Sequence, residues 1–126
     1  MKTLFRTLIL ICMMLAGSAY ANPGHYEASK FETLQGAGTP TLLVVHADWC
    51  STCRTQAPIL GSLLKMPEYS GIQALQVSFD DQKDVLKQFN VRRQSTLIVF
   101  KNGKEVGRST GDTNRLSIER LLQQAL

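Results

Sequence analysis

The sequence predicts an α/β domain with a central mixed sheet of about four strands flanked by helices. Two nearly unbroken apolar, β-branched runs, residues 41–47 and 96–100, read as strands buried on both faces. Between them, strand-like and helix-period stretches alternate, so a helix joins the first two strands and makes them a parallel pair. Lys101-Asn102-Gly103-Lys104 carries the Asn-Gly of a tight turn, which folds the last two strands into an antiparallel hairpin.

The elements follow in order. Residues 1–21 read as a cleaved signal peptide. Lys2 and Arg6 form a basic start, residues 8–15 an apolar centre, and Ala19-Tyr20-Ala21 a small-x-small cleavage site. The apolar centre is too short to span a membrane. Cys12 lies within it behind Ile11, where a lipoprotein signal has a small residue. Residues 22–126 form a single domain. Asn22 to His25, with Pro23-Gly24, read as a flexible start, and residues 26–34 as a short amphipathic helix with Phe31 and Leu34 on one side. A Gly-rich connector leads to the strand at 41–47. The helix after Cys50 ends near Met66 and has Ala57, Leu60, Leu63 and Leu64 at helical spacing, with Pro58 to bend it. Residues 72–79 form a second strand. Asp80 or Asp81 caps a helix through Phe89 that buries Val85, Leu86 and Phe89. After the strand at 96–100 and the turn, residues 105–110 form a fourth strand ended by Gly111. Asp112 caps a last helix with Leu116, Ile118, Leu121, Leu122 and Ala125 inward.

Charge and cysteine usage narrow the function. Of the net charge of +4, Lys2 and Arg6 carry two, so residues 22–126 keep only +2. That gives no case for nucleic acid, and the one basic doublet, Arg92-Arg93, reads as a solvated loop. Of three cysteines, Cys12 leaves with the signal. Cys50 and Cys53 remain, in an exported chain where disulfides persist. A bridge between residues three apart closes too small a loop to stabilise the fold much. Exchange chemistry explains the pair better. Trp49-Cys50-Ser51-Thr52-Cys53 lies between a buried strand and a helix, so the first thiol falls at a helix N-terminus. There, unpaired N–H groups and the dipole favour a thiolate, the nucleophile of disulfide exchange.

This layout resembles the thioredoxin family. Besides Trp49-Cys50-Ser51-Thr52-Cys53, Pro58 looks like the family's helix-kinking proline. Phe100-Lys101-Asn102-Gly103-Lys104 looks like its hairpin, and Gly111 like the glycine after its last strand. The resemblance covers about residues 28–126. It implies a thioredoxin-like fold in which Cys50 attacks a partner's disulfide and Cys53 is the more buried, resolving thiol. Trp49 would cover the site and offer a flat apolar surface to substrates, core packing being its other reading.

Three departures stand out. Ser95 falls where the family has a cis-proline that faces the dithiol. A cis bond before a non-proline costs about 2.5–4 kcal/mol, so a trans Gln94–Ser95 bond or a rearranged loop is expected. That loop docks the substrate backbone in the family, which makes Gln94 and Ser95 candidate substrate-binding residues. Val44 falls where many members carry a buried Asp, and Gln76 where its Lys partner would be; the resolving proton needs another acceptor. His46, four residues before Cys50, is either a half-buried histidine bonded to backbone or a modulator of the thiolate.

The expected activity is thiol–disulfide exchange with protein disulfide and dithiol substrates outside the cytosol. A periplasmic address is expected, with full secretion as the other outcome of the same signal. No cofactor is expected. Ser51 and Thr52 hydroxyls bonded to the thiolate would favour an oxidant. A small monomeric domain with no dimerisation element, recharged by a membrane-bound redox partner, favours a reductant, and that is the direction expected. The alternative is a copper or zinc binding or delivery module using Cys50, Cys53 and His46, although a closed zinc site needs a fourth ligand.

Overall fold

The computed structural model describes residues 22–126. The expected signal peptide, residues 1–21, lies outside them. The elements run β1 (Gly24–His25), α1 (Ala28–Gly36), β2 (Thr41–His46), α2 (Ser51–Leu64), β3 (Gln73–Ser78), α3 (Lys83–Gln88), β4 (Thr96–Lys101), β5 (Lys104–Thr110) and α4 (Arg115–Gln123). Among the described residues, no helix is long and apolar enough to cross a membrane.

The five strands form one mixed sheet in the order β1-β3-β2-β4-β5. β2 pairs with β3 in parallel and with β4 antiparallel, and β4 and β5 form the expected hairpin. Alternate side chains of the central strands leave by opposite faces. Leu42, Val44, Leu97 and Val99 pack under α2 and α4, against Leu60, Leu63, Ile118 and Leu122. Leu43, Val45, Ile98 and Phe100 pack on the other face with Phe31 of α1 and Leu86 of α3. Two covered faces explain the unbroken apolar runs of β2 and β4. Asn102 and Gly103 both have positive φ, 51° and 77°, as the Asn-Gly turn requires.

The sheet has five strands rather than about four. The supposedly flexible Gly24–His25 adds to the edge by pairing with Leu75 and Gln76. Main-chain bonding alone makes that strand, so no side-chain pattern announced it. The first helix starts two residues later than expected. Neither Asp80 nor Asp81 caps α3. Gln82 holds the cap position without a side-chain cap bond, its amide accepting from Ser78 N–H and donating to the Tyr26 carbonyl, while Asp81 accepts from the Ser78 hydroxyl at 3.0 Å. Asn114, not Asp112, caps α4, accepting from Ser117 N–H at 3.0 Å. Asp112 acts one turn earlier, accepting from Asn114 N–H at 2.9 Å. Leu116 points to solvent at 63% exposure, and Ala57 is exposed too. Each lies off the inward face of its helix, which Ile118, Leu121 and Leu122 form on α4 and Cys53, Gln56, Leu60 and Leu63 on α2. Pro58 stays inside α2.

Candidate active site

The β2–α2 junction builds the site. β2 ends at His46, the Cys50 N–H bonds the Ala47 carbonyl at 3.1 Å, and Cys50 becomes the N-cap of α2. Its Sγ accepts the Cys53 N–H at 3.1 Å. The sulfur therefore sits on one of the unpaired donors of the helix start, where negative charge is favoured. Cys50 and Cys53 are joined in a disulfide with their Cα atoms 5.3 Å apart. Both residues are equally buried, each 3% exposed, so Cys53 is not the more buried of the two in this oxidised state. Ala47 and Phe79 pack around them.

Ser95 closes the site from the start of β4. Among the described residues no peptide bond is cis, so Gln94–Ser95 is trans. The loop is also rearranged, because Ser95 takes a left-handed φ of 61°. That conformation is unusual for serine and needs support. Three bonds supply it: Ser95 N–H to the Val45 carbonyl at 2.8 Å, Gly111 N–H to the Ser95 carbonyl at 3.0 Å, and Gln56 Nε2 to the same carbonyl at 3.3 Å. The Ser95 hydroxyl lies 3.1 Å from Cys50 Sγ and 3.0 Å from Cys53 Sγ. Ser95 is 2% exposed and its main-chain groups are used within the fold. Gln94 beside it is half-buried and makes no hydrogen bond among the described residues.

The other expected residues divide. Trp49 is 58% exposed, which removes the core-packing reading. Its indole N–H donates to Asp80 Oδ2 at 2.9 Å and its ring meets Phe79 edge-on, so it is held beside the dithiol with much of its surface in water. His46 is bonded to neither backbone nor sulfur; its Nε2 lies 3.2 Å from Asp48 Oδ1. No hydrogen bond joins the Ser51 or Thr52 hydroxyl to a sulfur, and the hydroxyl at the sulfurs comes from Ser95 instead. Among the described residues no three His, Cys, Asp or Glu side chains gather to hold a metal. Here Cys50 and Cys53 are bonded to each other and His46 Nε2 faces Asp48. Val44 and Gln76 are paired neighbours on β2 and β3. With Leu60 they line a cavity of about 190 Å³ that reaches Cys53.

Gln56 was not anticipated. It is 1% exposed, and its Nε2 also donates to the Asp112 carbonyl at 2.9 Å, tying the Ser95 loop to the end of the hairpin. The signal was a lone amide on the inward face of α2, three residues after Cys53 and four before Leu60.

The thioredoxin family model matches residues 24–124. The chain belongs to the thioredoxin family. A thioredoxin of Chlamydia caviae is 35% identical over 98 residues, covering 78% of this chain and 93% of that protein. One of Haemophilus influenzae is 30% identical over 102 residues, covering 79% and 94%. The crystal structure of Trxlp from Edwardsiella tarda superposes with a TM-score of 0.78 at 39% identity, covering 80% of this chain and 98% of that one. The family accounts for the mixed sheet, the flanking helices and the Cys50–Cys53 pair together. The chain is a thiol–disulfide oxidoreductase, and the substrates of its family are protein disulfides.

Proposed function

We propose that this oxidoreductase reduces protein disulfides outside the cytosol, with Cys50 as nucleophile and Cys53 as resolving thiol. The observation that carries the assignment is the bond from Cys53 N–H to Cys50 Sγ at the cap of α2. It stabilises a thiolate at Cys50 and at no other sulfur of the pair. In the reaction, Cys50 thiolate bonds to one substrate sulfur and the substrate S–S bond breaks. Cys53 then bonds to Cys50 Sγ and displaces the substrate's sulfur, restoring the bridge. Exposed Trp49 supplies an apolar face for the substrate chain, and Gln94 supplies main-chain groups for its backbone.

The thioredoxin relatives support the reducing direction. The export signal read in residues 1–21 supports a periplasmic address, where a membrane-bound partner returns electrons to a monomeric domain. Insulin reduction by the reduced protein tests the activity. Cys50→Ser abolishes it, whereas Cys53→Ser accumulates a mixed disulfide with the substrate. Full activity in Cys50→Ser refutes the assignment. Fractionation of the native host tests the address through a shortened chain in the periplasm.

A further inference from the structure

Full turnover must move protons as well as electrons. Two electrons pass from the Cys50 and Cys53 sulfurs to the two substrate sulfurs. When Cys53 attacks Cys50 Sγ it gives up its proton, and the substrate sulfur that leaves Cys50 takes one up. A group that touches Cys53 Sγ can take the proton it gives up, and one that also touches Cys50 Sγ can hold the thiolate before and after the exchange.

The charged and titratable side chains on the segments that carry the site do not meet that condition. They are His46 and Asp48 before α2, Arg54 on α2, Asp80 after β3, Arg93 before β4 and Asp112 after β5. None is hydrogen-bonded to a sulfur or to Ser95 Oγ; Asp48 is held by His46, and Asp80 by Trp49. The Val45 carbonyl lies 3.9 Å from Cys53 Sγ, and it has no proton to pass on. Among the described residues the Ser95 hydroxyl alone touches both sulfurs, at 3.1 and 3.0 Å, and Ser95 is 2% exposed. A hydroxyl donates one hydrogen and accepts at the same oxygen, which is what a two-bond relay needs.

We propose that Ser95 is a catalytic residue of this site, whose hydroxyl shuttles the proton of the resolving step. In the reduced enzyme Oγ accepts from Cys53 S–H and donates to the Cys50 thiolate. In the mixed disulfide that thiolate is gone and Oγ still accepts from Cys53 S–H. As Cys53 attacks Cys50 Sγ, its proton passes to Oγ and the hydroxyl's own hydrogen passes to water, while the substrate sulfur leaves Cys50 as a thiolate and takes its proton from solvent. The hydroxyl ends as it began. The left-handed backbone at 95, held by Val45, Gly111 and Gln56, aims Oγ between the sulfurs. This step rests on the exchange roles proposed above for Cys50 and Cys53.

The test uses Ser95→Gly and Ser95→Ala. Glycine takes the 61° φ without strain, so the first variant removes the hydroxyl and keeps the loop. Two quantities are read: the pH midpoint of Cys50 alkylation in the reduced protein, and the rate of the resolving step in a single turnover with a disulfide peptide. Losing a hydrogen bond to a charged sulfur raises the midpoint by about one pH unit. The same loss slows resolution by about tenfold. Both variants show both effects, and Ser95→Gly melts near wild type. An unchanged midpoint and rate in Ser95→Gly overturns the relay. Alkylation needs no turnover, so it reports on Ser95 even where the exchange assignment fails. That assignment fails on its own if the wild-type protein reduces no disulfide substrate.

Discussion

Gln56→Met separates the scaffold of the site from its chemistry. Gln56 is 1% exposed, and its amide joins two segments far away in sequence, the Ser95 carbonyl at 3.3 Å and the Asp112 carbonyl at 2.9 Å. Methionine is also unbranched and fills irregular space well, so the substitution leaves little cavity and mainly deletes the two bonds. The bond to Asp112 is short, and its loss leaves that carbonyl with no other hydrogen bond among the described residues. The longer bond to Ser95 is weaker, and that carbonyl keeps the Gly111 N–H. A net hydrogen bond contributes about 1 kcal/mol and a stranded, half-buried acceptor adds to the loss, so the pair amounts to about 2 kcal/mol. At about 4–8 °C per kcal/mol for a domain near 100 residues, the melting temperature falls by about 8–16 °C. Thermal and urea unfolding of the oxidised protein measure it, with an unchanged urea slope expected. A loss below about 0.5 kcal/mol, the range of an ordinary surface change, refutes the claim that this amide ties the Ser95 loop to the hairpin.

Trp49→Ala removes one exposed hydrogen bond and one ring contact, so stability changes by less than about 1 kcal/mol. KM for a protein disulfide rises, while turnover of a small-molecule disulfide holds; equal effects on both substrates rule out a docking role. Burial pushes the Tyr69 phenol above its ordinary value of 10.0, with the Gln123 hydrogen bond working against it. Stability is therefore complete below pH 10, where the unfolded phenol is still neutral, and falls as pH rises further. Tyr69→Phe flattens that alkaline decline in urea titrations, and an unaltered slope contradicts the assignment. Gly111 has a φ of 72° and open space where a Cβ would stand. Gly111→Ala thus costs only backbone strain, about 1–2 kcal/mol by denaturant midpoint, and a much larger loss points to crowding.

Local signals carried the fold. Residues 41–47 and 96–100 read as strands because both faces of β2 and β4 are covered, and Asn102-Gly103 read as a turn because few other pairs accept two positive φ angles. The dithiol was equally legible, since a cap position and its helix lie within a few residues. Contacts set by distant segments escaped. β1 exists only because β3 offers it an edge. Asp80, Asp81, Gln82, Asp112 and Asn114 are all near helix starts, and the choice among them depended on hydrogen bonds with Ser78 and Ser117. Gln56 needed a partner more than 50 residues away. Ser95 was visible as a missing proline, but its place between two sulfurs depends on Val45, Gly111 and Gln56 together.

The same two donors that favour a Cys50 thiolate bear on the direction of electron flow. Stabilising the reduced dithiol makes its disulfide a stronger oxidant. The potential of thioredoxin, about −270 mV, serves as the baseline. The Ser95 hydroxyl is an addition to it. A hydrogen bond to a charged group contributes about 1.5–3 kcal/mol, and for this two-electron couple 1.4 kcal/mol corresponds to about 30 mV. The full increment is thus about 30–60 mV. Part of it cancels, because the hydroxyl also touches both sulfurs of the oxidised form. The expected potential then falls between about −270 and −210 mV, well below the about −120 mV of a strong periplasmic oxidant, as the proposed reducing role requires. Equilibration with a glutathione buffer, read by alkylation and mass, measures the value. Ser95→Gly moves it towards the thioredoxin baseline. A wild-type potential above about −180 mV, in the range of disulfide isomerases and oxidants, ends the reductant assignment.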